Sequence, residues 1–163
     1  MPFTRAQQFL DADYPAGRNY YWKSVYLNEL NDDTVKTLLE LNAKAPSHHS
    51  TLDIWTMGGA LGRVGAGESP LSPREAAFMI GVEANWDDPK DSQRNVAWAR
   101  ECVARLGPFA APGIYLNFPG FLEDSDELVR NAFGSNLHRL AEVKKKYDPD
   151  NFFRLNQNIK PIV

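Results

Sequence analysis

The order in which apolar periods follow one another constrains this chain more than any single residue. Residues 19–27, NYYWKSVYL, are dense in aromatic and branched side chains and read as a strand. Asn31 or Asp32 then offers a helix cap, and Val35, Leu38, Leu39 and Asn42 recur at helical spacing until Pro46 ends the run. Residues 51–57, TLDIWTM, alternate, with Leu52, Ile54 and Thr56 opposed to Thr51, Asp53, Trp55 and Met57. Residues 77–86, AFMIGVEANW, form a third strand with a nearly continuous apolar part. Asp87-Asp88-Pro89 opens a second helix to about Leu106, with Val96, Ala99 and Val103 on one face, and residues 113–118, GIYLNF, form a fourth strand. Strand, helix, strand, strand, helix, strand predicts an α+β fold of the ferredoxin-like βαββαβ kind. Its antiparallel sheet carries helices on one face. Helices over about 124–133 and 135–146 and an extended tail follow.

A chain of 163 residues forms one domain, 1–163, with a sheet part over 19–118 and C-terminal helices and tail over 119–163. The net charge of −3 offers no electrostatic case for nucleic acid. The one cysteine, Cys102, sits in a helical pattern and reads as a small buried hydrophobe. No apolar run is long enough to cross a bilayer, and residues 1–15 lack the basic-then-apolar pattern of a signal peptide. A cytoplasmic, reducing location is the expectation.

Helices on one face leave the other face of the sheet to be covered or used for binding. Alternation along 113–118 puts Tyr115 and Asn117 together on a face, either as a polar site or as an amphipathic aromatic at a sheet edge. Glu83 shares a face with Met79, Gly81 and Asn85, and reads either as an exposed edge glutamate or as a carboxylate at the site. The loop from Gly58 to about Pro73 is long for a link between strands, which makes it a functional candidate. Its glycines lie between two strands, so no dinucleotide-binding turn is expected there. His48 and His49 are adjacent in a loop without a carboxylate or thiol at ligand spacing, and no metal site is expected. At the C-terminus, Asn156, Gln157 and Asn158 follow Phe152, Phe153, Arg154 and Leu155. Each carboxamide carries donors and an acceptor, suited to edge-on recognition of something flat and polar.

Several of these stretches resemble the berberine-bridge-enzyme-like family of FAD-linked oxidoreductases. NYYWKS, APSHHSTLDIWTMGGALGRV, NVAWARE, YLNF and above all FGSNLHRLAEVKKKYDPDNFFRLNQNI carry the likeness. The resemblance implies that the sheet over 19–118 is a substrate-binding sheet and that the tail, with Asn156, Gln157 and Asn158, lies near the flavin. It implies a catalytic role for Tyr115, as a base near the substrate carbon, and a positioning, flavin-side role for Asn117. Phe118 stands where some members have a second tyrosine, so a mechanism needing two phenols on this strand does not carry over. Glu83 is a second catalytic candidate. Arg74 persists in SPLSPREAAF, where the histidine of many members is replaced by Pro73.

A tyrosine with a pKa of about 10 is ionised in about one molecule in a thousand at pH 7, and a shift of about three units costs roughly 4 kcal/mol. A cation could supply part of that, and Arg63, Arg74 and Lys23 are the candidates. Alternatively, proton and hydride leave the substrate nearly together.

Full members are longer, and their N-terminal part binds FAD; nothing in this sequence corresponds to it. Two readings follow. In one, the chain is the substrate-side part of an FAD-dependent oxidase or dehydrogenase acting on a small organic alcohol, sugar or secondary metabolite. It is then completed by an FAD-domain polypeptide and inactive alone. In the other, it is a stand-alone module that binds a small molecule or self-associates into a homo-oligomer through the open sheet face. RNA binding is disfavoured by the acidic balance and the lack of paired aromatic motifs.

Overall fold

The computed structural model describes residues 1–65, 67–70, 74–120 and 125–162; Pro73 lies outside them. A short helix, α1 (Phe3–Gln7), precedes β1 (Asn19–Leu27). Then come α2 (Asp32–Ala43), β2 (Thr51–Thr56), β3 (Phe78–Trp86), α3 (Ser92–Leu106) and β4 (Ala110–Ala111). The chain ends with α4 (Ser125–Phe133), α5 (Leu137–Tyr147) and a tail without regular structure. The four strands make one sheet in the order β2-β3-β1-β4, every neighbouring pair antiparallel.

Alternation along β3 decides what each face does. Ile80, Val82, Ala84 and Trp86 point to α2 and α3 and join Leu38, Leu41, Trp98, Ala99, Cys102 and Leu106 in the main core. Trp98 also ties the two helices together, its indole N–H donating to the Leu41 carbonyl at 3.0 Å. Cys102 is fully buried there, and burial pushes its thiol up to about 12, so it is inert as a nucleophile. Asn31 caps α2 by accepting from the Thr34 amide and hydroxyl at 2.9 Å each. That pairing lets Thr34 be buried, and the inward stripe is Thr34, Leu38 and Leu41. Val35 and Leu39, expected on that stripe, are 41% and 67% exposed.

The last strand differs from expectation. It is Ala110–Ala111; residues 113–115 have no regular structure and 115–118 form a turn. Pro112 cannot donate to a ladder, and Gly113 takes φ +107°, which bends the chain out of the sheet. The Phe118 amide then donates to the Tyr115 carbonyl at 3.0 Å. The chain meets β1 again at the Lys23–Pro119 bridge and through the Gly120 amide, which donates to the Trp22 carbonyl at 2.8 Å.

The tail is pinned where it leaves α5. Asp148 accepts from the Phe152 amide at 2.7 Å, from the Phe153 amide at 3.0 Å and from Lys144. The Lys144 ammonium and these two amides hold the Asp148 carboxyl below the usual carboxylate range. A depressed value means that this contribution is present above the unfolded value and lost as pH falls through the folded one. Asp148→Ala is expected to speed hydrogen exchange at the Phe152 and Phe153 amides at neutral pH. Wild type and variant should converge in acid; equal exchange rates at neutral pH would show that the tail is held elsewhere.

Candidate functional site

The face of the sheet away from α2 and α3 carries Trp22, Ser24 and Tyr26 from β1, Met79, Gly81, Glu83 and Asn85 from β3, and Thr51, Asp53 and Trp55 from β2. The strand registers place Trp22 and Thr51 on either side of Glu83, and Tyr26 and Trp55 on either side of Met79. A second, smaller apolar cluster of Tyr26, Ala76, Met79, Ala111 and Phe118, with Trp22, Met57 and Tyr115 packed on it, closes one end of this face.

Glu83 is on the central pair of strands and is 2% exposed, which removes the exposed-edge reading. The strand parity was legible, but the depth of burial depends on the N-terminal segment. The Tyr14 hydroxyl donates to Glu83 Oε2 at 2.7 Å. Burial raises the Glu83 pKa; the Tyr14 hydrogen bond opposes that rise and the Asp53 charge adds to it.

An aromatic row crosses the face from this carboxylate to the turn at 115–118. Tyr14 stands edge-on to Trp22 at 5.2 Å, Trp22 to Phe118 at 5.1 Å, and Phe118 to Tyr115 at 5.2 Å, measured between ring centroids. Phe118 is thus the buried middle of the row. The Trp22 indole N–H donates to Asn85 Oδ1 at 2.7 Å, and Asn85 Nδ2 donates to the His49 carbonyl at 3.0 Å. These bonds fix both side chains. At the far end Asn117 Nδ2 donates to the Tyr115 hydroxyl oxygen at 2.7 Å. The two residues meet through a turn, two positions apart, and not through strand alternation. Tyr115 is half-buried and Asn117 exposed.

The candidate cations separate. Arg74 is partly buried, donates to Ser69 Oγ at 2.6 Å and 3.2 Å and to the Leu61 carbonyl at 3.4 Å, and its charge reaches Tyr26. Lys23 shares the parity of Tyr21 and Val25, lies opposite Val82 and is 9% exposed, which puts it on the helix side of the sheet. Arg63 is exposed at the end of a short 3-10 turn, Leu61–Arg63.

Tyr14, Trp22 and Tyr26 are the residues of this face that sequence reasoning passed over. Trp22 and Tyr26 were recoverable, since they alternate with the core residues Tyr21 and Val25. Tyr14 had no local signal. Tyr26 is 1% exposed and its hydroxyl has no partner among the described residues. Burial raises its pKa, Tyr115 adds to the rise and Arg74 opposes it. An unpaired buried hydroxyl costs roughly 1–3 kcal/mol. Tyr26→Phe is therefore expected to unfold at higher urea, by about 1 kcal/mol of added stability; a clear loss would show that the hydroxyl is paired in solution.

In the tail, Asn156 is exposed and holds φ +60°, a left-handed conformation that asparagine tolerates. Gln157 and Asn158 are partly buried. Asn158 lines a hollow of about 400 Å³ with Val129, Leu137, Ala141 and Ile159, so it faces the chain's own α4 and α5. Lys160 and Asp126 close that docking with an ion pair at 3.1 Å. Phe152, Phe153 and Leu155 are 78%, 76% and 85% exposed.

Whether these residues suit a dinucleotide is answered by shape. Hollows of about 220 to 400 Å³ occur among the described residues, and the glycines of the loop after β2 lie between two strands and not between a strand and a helix. Asn156 and Gln157 present carboxamide donors and acceptors of the kind that pair with a flat polar edge. Among the described residues no three His, Cys, Asp or Glu side chains gather to hold a metal ion, and no helix is long and apolar enough to cross a membrane.

Comparison with known proteins agrees with the residues. The domain family described as berberine and berberine-like matches residues 114–160, which span the Tyr115 turn, both late helices and the tail. An uncharacterised FAD-linked oxidoreductase of Bacillus subtilis, YgaK, is 32% identical over 83% of this chain and 29% of its own length. A chitooligosaccharide oxidase of Gibberella zeae is 28% identical over 92% of this chain and 32% of its own. The crystal structure of berberine bridge enzyme from Eschscholzia californica superposes with a TM-score of 0.79 over 89% of this chain and 33% of its own, at 23% identity, a likeness of fold. The chain thus spans about a third of the relatives it matches. Residues 114–160 carry the berberine and berberine-like domain, and the chain as a whole is similar to part of the berberine-bridge-enzyme-like FAD-linked oxidoreductases.

Proposed function

We propose that this chain forms the substrate-side wall of an FAD-dependent oxidoreductase whose flavin is held by another polypeptide part. The observation that carries the reading is the Tyr115–Asn117 pair, 2.7 Å apart at the open end of an aromatic row on the helix-free face. Tyr115 takes the proton of a substrate hydroxyl, Asn117 aims the phenol, and Arg74, held by Ser69 and the Leu61 carbonyl, is the candidate cation of the three the sequence offers. FAD held by that other part would supply the hydride-accepting chemistry. Asn156 and Gln157 meet the flavin edge or its domain, and Asn158 anchors the tail that presents them. The substrate class is a small organic alcohol, a sugar or a secondary metabolite; Trp22, Phe118 and Tyr115 offer ring faces of the kind that sugars and aromatic alcohols pack on.

The strand order β2-β3-β1-β4, with both helices on one face, supports reading the sheet part as ferredoxin-like in topology.

Reconstitution tests it. The chain alone is expected to be colourless. Mixed or co-expressed with the FAD-binding part of a berberine-bridge-enzyme-like protein, it should co-elute as a yellow complex that oxidises an alcohol or sugar. A homodimer that buries the exposed Phe152, Phe153 and Leu155, and that gains neither colour nor turnover with any such partner, would favour the stand-alone module instead.

A further inference from the structure

The long loop after β2 enters the reading above only through the arginine that follows it. Its described residues are tied down at several points. Gly65 and Glu68 close a turn: the Glu68 amide donates to the Gly65 carbonyl at 3.0 Å, and the Gly65 amide donates to Glu68 Oε2 at 2.8 Å. Residues 67–70 then lie along α5. Arg139 Nη1 donates to the Gly67 carbonyl at 3.2 Å, and Asn136 Nδ2 donates to the Ser69 carbonyl at 3.1 Å. A hollow of about 220 Å³, lined also by Leu140 and Val143, lies along this seam. Apolar packing is therefore thin there, and the two polar ties decide where residues 67–70 sit. Asn136 stands at the start of α5, where an asparagine side chain ordinarily caps the helix by accepting from its first amides. It makes no such cap and reaches the loop instead.

Ser69 faces Arg74 with its hydroxyl. That oxygen accepts from Arg74 Nη2 at 2.6 Å and from Arg74 Nε at 3.2 Å. Two donors of a rigid planar fork on one oxygen fix the plane of the guanidinium as well as its distance. Arg74 Nη1 reaches back to the Leu61 carbonyl at 3.4 Å, so one side chain gathers both parts of the loop. Its charge reaches the buried Tyr26, and Tyr115 packs on the cluster that holds Tyr26.

We infer that Ser69 is a positioning residue for the Arg74 guanidinium, and that α5 sets where this charge sits through Asn136 and the Ser69 carbonyl. The inference rests on the proposal that Arg74 is the cation of the Tyr115 site, but its first test does not. That test is proton exchange at Arg74 Nε, read by heteronuclear NMR on the chain alone. Ser69→Ala removes the oxygen that two Arg74 donors share, and exchange should quicken by about 10–100-fold, as for the loss of a hydrogen bond to a charged group. Ser69→Thr keeps the hydroxyl and should keep the slow exchange. Asn136→Ala touches neither Arg74 nor the Ser69 hydroxyl, and should still quicken exchange, by a smaller factor. In the reconstituted enzyme, Ser69→Ala and Arg74→Gln should each lower kcat, and the double variant should be no slower than Arg74→Gln. Wild-type exchange in Ser69→Ala or in Asn136→Ala, or kcat losses that multiply in the double variant, would overturn the inference. Exchange that responds while Arg74→Gln turns over at the wild-type rate would uphold the positioning and remove Arg74 from the wider reading.

Discussion

Tyr115→Phe should lower kcat of the reconstituted oxidoreductase by about 10²–10⁴, the usual range for losing a positioned general base. The hydroxyl oxygen is the only atom removed, and the ring stays edge-on to Phe118 at 5.2 Å. Flavin absorbance and complex formation should therefore stay as in wild type. The loss should be in kcat and kcat/KM equally, because a proton-transfer contact is made in the transition state. Asn117→Ala should show a smaller loss, since it removes the donor at 2.7 Å that aims the phenol and leaves the phenol itself. If Tyr115→Phe turns over at the wild-type rate, proton removal resides elsewhere on this face, and Glu83 becomes the first group to examine.

The second large effect concerns the fold. Trp98→Ala should cost about 3–5 kcal/mol, the range for emptying a buried indole site. Trp98 is 4% exposed, sits against both helices and the sheet, and donates its N–H to the Leu41 carbonyl at 3.0 Å. The substitution leaves a cavity and takes one of two donors from the Leu41 carbonyl, which keeps the Lys44 amide at 3.1 Å. Urea unfolding should shift its midpoint sharply with little change in slope. Trp98→Phe, which refills most of the volume but cannot donate, should recover the larger share. A cost under about 1 kcal/mol would mean that α2 and α3 are not joined through this side chain.

Much of the sheet could be read along the chain, because strands with one face on helices alternate cleanly. Residues 19–27 and the apolar run ending at Trp86 appear as β1 and β3 with those limits or one residue from them. The fourth strand could not be read in the same way. GIYLNF has strand composition, but Pro112 and Gly113 immediately before it override composition with backbone geometry. Tyr115 and Asn117 were nonetheless named together, for a different reason from the one that joins them. Glu83 was named, and its partner was not, because Tyr14 lies 69 residues earlier and the contact exists only after folding. Lys23 illustrates the reverse case. Its charge made it a candidate partner for Tyr115, but its parity with Tyr21 and Val25 carries it to the helix side, a fact already present in NYYWKSVYL.

One border of the sheet has a practical consequence. β2 ends the strand order, and Ile54 and Trp55 on it are 53% and 44% exposed. A rim that offers amide and carbonyl groups to any passing strand, with greasy side chains alongside, templates growth by addition. Preparations of this polypeptide held at high concentration should thicken into β-rich aggregate from that rim. A single Ile54→Lys exchange there should keep them clear without touching the face that carries Tyr115.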